Sequence, residues 1–78
     1  MEQQPESGIY QHYKGKLYHV LEVGRHSETL EEYVIYRQLY GDYGLWVRPL
    51  AMFRESVVHE GVHIPRFKFL HKTKHSND

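Results

Sequence analysis

Tyr33-Val34-Ile35-Tyr36-Arg37-Gln38-Leu39 is the stretch whose reading decides the fold. Its first four residues are all aromatic or β-branched, types that lose side-chain freedom in a helix and pack well on a pleated surface. The preceding Ser27-Glu28-Thr29-Leu30-Glu31-Glu32 offers a capping serine, so a helix over 27–39 competes for the same residues. The Tyr-Val-Ile-Tyr run argues against it. Val34 and Tyr36 alternate with Ile35 and Arg37, as on a strand with two different faces.

Upstream, Gly8-Ile9-Tyr10-Gln11-His12-Tyr13 and Lys16-Leu17-Tyr18-His19-Val20-Leu21-Glu22-Val23 flank Lys14-Gly15, a hairpin signal. Apolar residues on both faces of the second run imply a central strand or one bent by a bulge near Gly24. Downstream, the Tyr40-Gly41-Asp42-Tyr43-Gly44 turn leads into extended Leu45-Trp46-Val47-Arg48, which Pro49 stops. Pro49 to Phe53 fits one short helical turn, with Leu50 and Phe53 facing the core together. Glu55 to His59, a Glu60-Gly61 turn and Val62 to Leu70 complete the chain's ordered part, with Pro65 marking an edge or bulge. Five or six short strands with one helical turn predict an all-β fold, a small barrel or strongly bent sheet. Tyr18, Tyr36, Phe53, Phe67 and Phe69 are the expected aromatic core. Residues 1–7 and 71–78 read as disordered tails around a domain over 8–70.

Seventy-eight residues bury only about 60–65% of the surface exposed on unfolding, which leaves little room for a deep active-site cavity. Cysteine is absent, excluding disulfides, thiolate metal sites and cysteine nucleophiles. The N-terminus lacks a basic, apolar leader and no run approaches the length of a membrane span, so a cytoplasmic protein without membrane contact is expected. Ten basic and ten acidic residues cancel. Between residues 8 and 70 eight basic face seven acidic residues, so nucleic acid is a weakly supported partner, resting on local cations such as Lys14, Lys16 and Arg25.

Three groupings carry chemistry. His59-Glu60-Gly61-Val62-His63 matches the zinc-protease pattern H-E-x-x-H. That chemistry needs a helix to bring both imidazoles to one face, whereas Gly61, Pro65 and the surrounding valines read as a hairpin. His12, His19 and His26 could converge on a metal only in a favourable register, and no metal or other cofactor is expected. Arg25-His26-Ser27-Glu28-Thr29-Leu30-Glu31 concentrates a cation, an imidazole, hydroxyls and carboxylates between two strands. Adjacent strand residues point to opposite faces, which disfavours a Ser27–His26 nucleophile pair and leaves a turn cap or a binding rim, with Glu28 pairing Arg25 or Arg37.

Gly8-x-Tyr10-x-His12-Tyr13-Lys14-Gly15-x-x-Tyr18-x-Val20, the block Arg25 to Glu31, and Tyr40-Gly41-Asp42-Tyr43-Gly44-x-Trp46-Val47-Arg48-Pro49-Leu50-x-Met52-Phe53 together resemble a family of short bacterial proteins known as a domain of unknown function. The resemblance covers about residues 8–70. It implies an SH3-like β-barrel and no established activity, catalytic residues or cofactor; Gly24 and His19 look like local departures.

The expected function is a non-catalytic binding module for a protein or peptide partner. Its candidate binding residues are Arg25, His26, Ser27, Glu28, Thr29, Arg37, Tyr40, Asp42, Tyr43, Trp46 and Arg48. The alternatives are a nucleic-acid-binding module, with tyrosine and tryptophan rings stacking on bases, and a small metal-dependent or hydrolytic activity centred on His26 and Glu28.

Overall fold

The computed structural model describes residues 5–73. Seven strands and one helical turn follow in order: β1 (Gly8–His12), β2 (Leu17–Arg25), β3 (Glu32–Gln38), β4 (Leu45–Pro49), α1 (Leu50–Phe53), β5 (Ser56–His59), β6 (Val62–Pro65) and β7 (Phe67–Lys72). The first four strands and β7 form one antiparallel sheet in the order β4-β3-β2-β1-β7, and β5-β6 is a separate hairpin. The result is the expected all-β, SH3-like barrel, with seven strands where five or six were counted. The difference arises at Arg66. The run 62–70 breaks there, because Pro65 has no N–H to continue a ladder, and the Arg66 backbone leaves β6 to bond Glu55 and Tyr13 instead.

Within the stretch 33–39, residues 33–38 are a strand, as its β-branched and aromatic residues require, with Leu39 just past its end, and 49–53 holds the predicted helical turn. The buried core is Tyr10, Val20, Val34, Tyr36, Leu50, Phe53 and Phe67. Phe53 and Phe67 stack with centroids 4.5 Å apart. Two core expectations change: Tyr10 is buried, while Phe69 is 39% exposed. Phe69 sits on β7 at the sheet edge, where Tyr10 covers one side of its ring. Tyr18 is half-buried against the core.

The β2 bulge lies at Leu21, where the register against β3 shifts between Val20 and Glu22, not at Gly24. One extra residue there lets Tyr18, Val20 and Val23 all face inward despite an odd spacing. Gly8, at φ 156°, packs so tightly that a Cβ would come within 2.5 Å of the His71 carbonyl oxygen. That contact corrects the tail boundary, since β7 runs on through His71 and Lys72, which pair with Ile9 and Gly8. At the other end, the Ser7 hydroxyl donates to the Leu21 carbonyl and the Glu6 carbonyl accepts from Tyr10. Expectations for residues 1–4 and 74–78 lie outside the described residues. No helix among the described residues is long and apolar enough to cross a membrane.

Candidate functional site

The polar block folds as a turn that satisfies itself. His26 N–H donates to Glu31 O and Leu30 N–H to His26 O, closing residues 26–31. The His26 Nδ1 accepts from the amides of Glu28 (3.1 Å) and Thr29 (3.3 Å). Thr29 Oγ1 accepts from Glu31 N–H, and Tyr33 OH donates to the Glu31 carboxylate. That hydrogen bond to Glu31 pushes the Tyr33 hydroxyl upward in pKa. His26 is therefore a turn cap whose acceptor nitrogen is already occupied, and the block builds no Ser27–His26 pair. Glu28 meets neither arginine. Arg37 instead donates to the Tyr43 carbonyl at 2.7 Å.

The candidate residues do not form one surface. Arg25 to Thr29 stand at the start of β3 and Tyr40 to Tyr43 beyond its end, roughly 20 Å apart at about 3.3 Å per residue, while Trp46 and Arg48 return along β4 opposite Tyr36 and Val34. The two loops are close in sequence, and the strand between them separates them in space.

The second group is organised by Gln38, a residue that no motif or spacing in the sequence marks out. Its amide donates to Tyr40 O and to the Asp42 carboxylate, and its carbonyl oxygen accepts from the Trp46 indole. Asp42 also accepts from Gly44 N–H. The loop is thus braced from within, which holds Trp46 in place while leaving it 54% exposed. Of the two glycines in this loop, Gly41 takes positive φ, but Tyr43 takes it in place of Gly44.

Because Leu39 N–H bonds Leu17 O, this loop lies beside the β1–β2 turn. Tyr40 OH meets Tyr18 OH at 2.6 Å, and Lys16 Nζ stands 4.7 Å over the Tyr40 ring. Burial, followed by the Tyr40 hydrogen bond, raises the Tyr18 pKa. Next to them His12 packs edge-on to Phe67 and Tyr18, and its Nδ1 accepts from Lys14 N–H. Burial, then the charges of Arg66, Arg48 and Lys14, lower the His12 pKa. Arg48 lies over the Phe67 ring at 5.6 Å, its buried Nε without an acceptor. This basic, aromatic patch unites Tyr40, Trp46 and Arg48 from the predicted set with His12, Lys16 and Tyr18. The hairpin spacing about Gly15 was the signal that could have joined the latter three.

On the other face of the sheet, Gly24, Arg25, His26, Tyr33, Ile35 and Val47 line an open groove of about 370 Å³. Gly24 matters by what it lacks, since a Cβ there would press on Ile35 at 3.2 Å. Strand β4 separates the groove from the patch. Leu45 and Val47 lie opposite Arg37 and Ile35, while Trp46 and Arg48 lie opposite Tyr36 and Val34 on the inner face.

His59 to His63 are the β5–β6 hairpin, with Glu60 and Gly61 both at positive φ in a two-residue turn. The metalloprotease geometry is therefore absent. Among the described residues no group of three or more His, Cys, Asp or Glu side chains is placed to hold a metal.

These features define a small antiparallel barrel with an exposed apolar edge strand between an apolar groove and a basic aromatic patch. Residues 8–69 match the family described as a protein of unknown function, DUF1653, and the chain belongs to that family. It is similar to the crystal structure of a DUF1653 protein from Bordetella bronchiseptica, with 32% identity and a TM-score of 0.82 over 97% of this chain and 100% of that one. None of the curated proteins matches it.

Proposed function

We propose that this protein is a non-catalytic binding module that takes an extended peptide segment of a partner along the free edge of β4. The observation that carries this reading is the exposure of three successive residues on that edge: Leu45 (52%), Trp46 (54%) and Val47 (60%). Among the described residues β4 is hydrogen-bonded in the sheet to β3 alone. Soluble domains usually blunt such an edge with charge, proline or a covering element, because unpaired N–H and C=O groups recruit another strand. A peptide added there would place alternate side chains in the groove and over the patch, main-chain bonds giving affinity and pockets giving specificity. His26 and Glu28 then support the groove rim rather than perform chemistry.

Selection of displayed random dodecapeptides on the wild-type protein and on a Trp46→Ala, Val47→Ala variant tests this. Both side chains are exposed, so the variant keeps its fold. Peptides enriched on wild type should lose most of their binding to the variant and shift the β4 amide resonances. Selected peptides that bind both proteins equally, or that shift resonances elsewhere, would remove the β4 edge as the site.

A further inference from the structure

The charge environment of Arg48 specifies what such a peptide must carry. Arg48 is half-buried, its Nε is shut off from solvent without a hydrogen-bond acceptor, and its guanidinium lies over Phe67. An arginine so placed ordinarily has a carboxylate, because a guanidinium losing hydration without a counter-charge is costly. Among the described residues none is supplied within the patch. The neighbouring Arg66 has its own partner, Glu55, at 3.2 Å. The charges that lower His12 are all cationic, from Arg66, Arg48 and Lys14, and no carboxylate acts on Tyr18 either. Lys16 adds a further cation over Tyr40.

Resting on the strand-addition reading above, we propose that Arg48 is a carboxylate-binding residue: it takes a glutamate or aspartate of the incoming peptide. Trp46 and Arg48 share the inner face of β4, two residues apart. Side chains of an added strand keep the same period. The acidic residue therefore stands opposite Arg48, and the residue two positions away, apolar, lies on Trp46. The planar guanidinium fork suits a carboxylate. A nucleic-acid backbone fits less well, because the chain carries no net charge at pH 7 and phosphate tracking draws on a broad positive field.

Trp46 is the single tryptophan of the chain, so its fluorescence reports occupation directly. The probes are the peptide Ac-Ser-Val-Leu-Val-Glu-Val-Ser-NH2, its glutamine counterpart, its phosphoserine counterpart and a twelve-nucleotide oligothymidine. The glutamate peptide should bind at least about tenfold more tightly than the glutamine peptide, the scale of one charged hydrogen bond. Arg48→Met keeps the aliphatic stem over Phe67; it should erase that preference while leaving the melting temperature and glutamine-peptide affinity close to wild type. Equal affinity for the two peptides, or a preference that survives in Arg48→Met, overturns the carboxylate site while strand addition stands. Tighter binding of the phosphoserine peptide or the oligothymidine assigns the site to phosphate and overturns the proposal. If no peptide binds, the carboxylate site falls together with the β4 reading.

Discussion

Single residues in this barrel serve as turn caps in ways that their side-chain chemistry permits but does not advertise. His12 and His26 each end or follow a strand, and each uses Nδ1 to accept an amide two residues ahead. A protonated Nδ1 could not accept, so the neutral imidazole is built into the His12 turn. For His12, burial and the cations around it lower the pKa below its ordinary value. The unfolded chain then binds the proton more readily, near pH 6.5. The stability conferred by neutral His12 is therefore complete above about pH 6.5 and declines as pH falls from there toward the lower folded value. Melting temperatures of wild type and His12→Asn between pH 8 and 5 check this, since asparagine keeps an acceptor but does not titrate. The wild-type curve should fall more steeply below about pH 6.5, and parallel curves would refute the assignment.

At the scale of elements, the β5–β6 hairpin shows how a catalytic-looking string can be explained by its turn. Glu60 takes φ 53° and Gly61 φ 79°, a conformation that costs a residue with a Cβ about 1–2 kcal/mol unless it is asparagine or aspartate. Asn-Gly is the favoured pair for such a turn. Glu60→Asn should raise stability by about 0.5–1 kcal/mol, read as a higher urea midpoint with an unchanged slope. A midpoint equal to or below wild type would mean that the turn is not what limits this hairpin. The same substitution removes the contact of Glu60 with His59 at 3.6 Å, which is too exposed to matter.

At the scale of the fold, stability rests on a core that among the described residues holds seven buried side chains, of which Val20 and Val34 are fully enclosed. A chain of this size has small reserves. Val34→Ala removes two methyl groups at the point where β2, β3 and β4 meet. It should cost about 2 kcal/mol and lower the melting temperature by roughly 10 °C for a domain of this length. Calorimetry measures it directly; a fall of less than about 3 °C would show that the sheet closes over the gap.

By itself the sequence determined the local elements: strands where aromatic and β-branched residues alternate, turns at Gly15 and Gly61, a helical turn after Pro49, and a hairpin at His59 to His63. Those follow from backbone preference and side-chain period, which act within a few residues. Only the tertiary structure decided which distant groups meet. Arg48 reaches Phe67 and influences His12, although they are 19 and 36 residues away in the chain, and the bulge at Leu21 sets which side chains of β2 face inward. The block Arg25 to Thr29 and the Tyr40 to Arg48 segment looked like one binding surface because they are close in sequence. The length of β3 parted the block from the Tyr40 to Tyr43 loop, β4 carried Val47 back to the groove beside Arg25 and His26, and barrel closure gave Tyr40 and Arg48 new neighbours in His12, Lys16 and Tyr18. Strand register and closure are settled by packing between residues far apart along the chain, which no local pattern encodes.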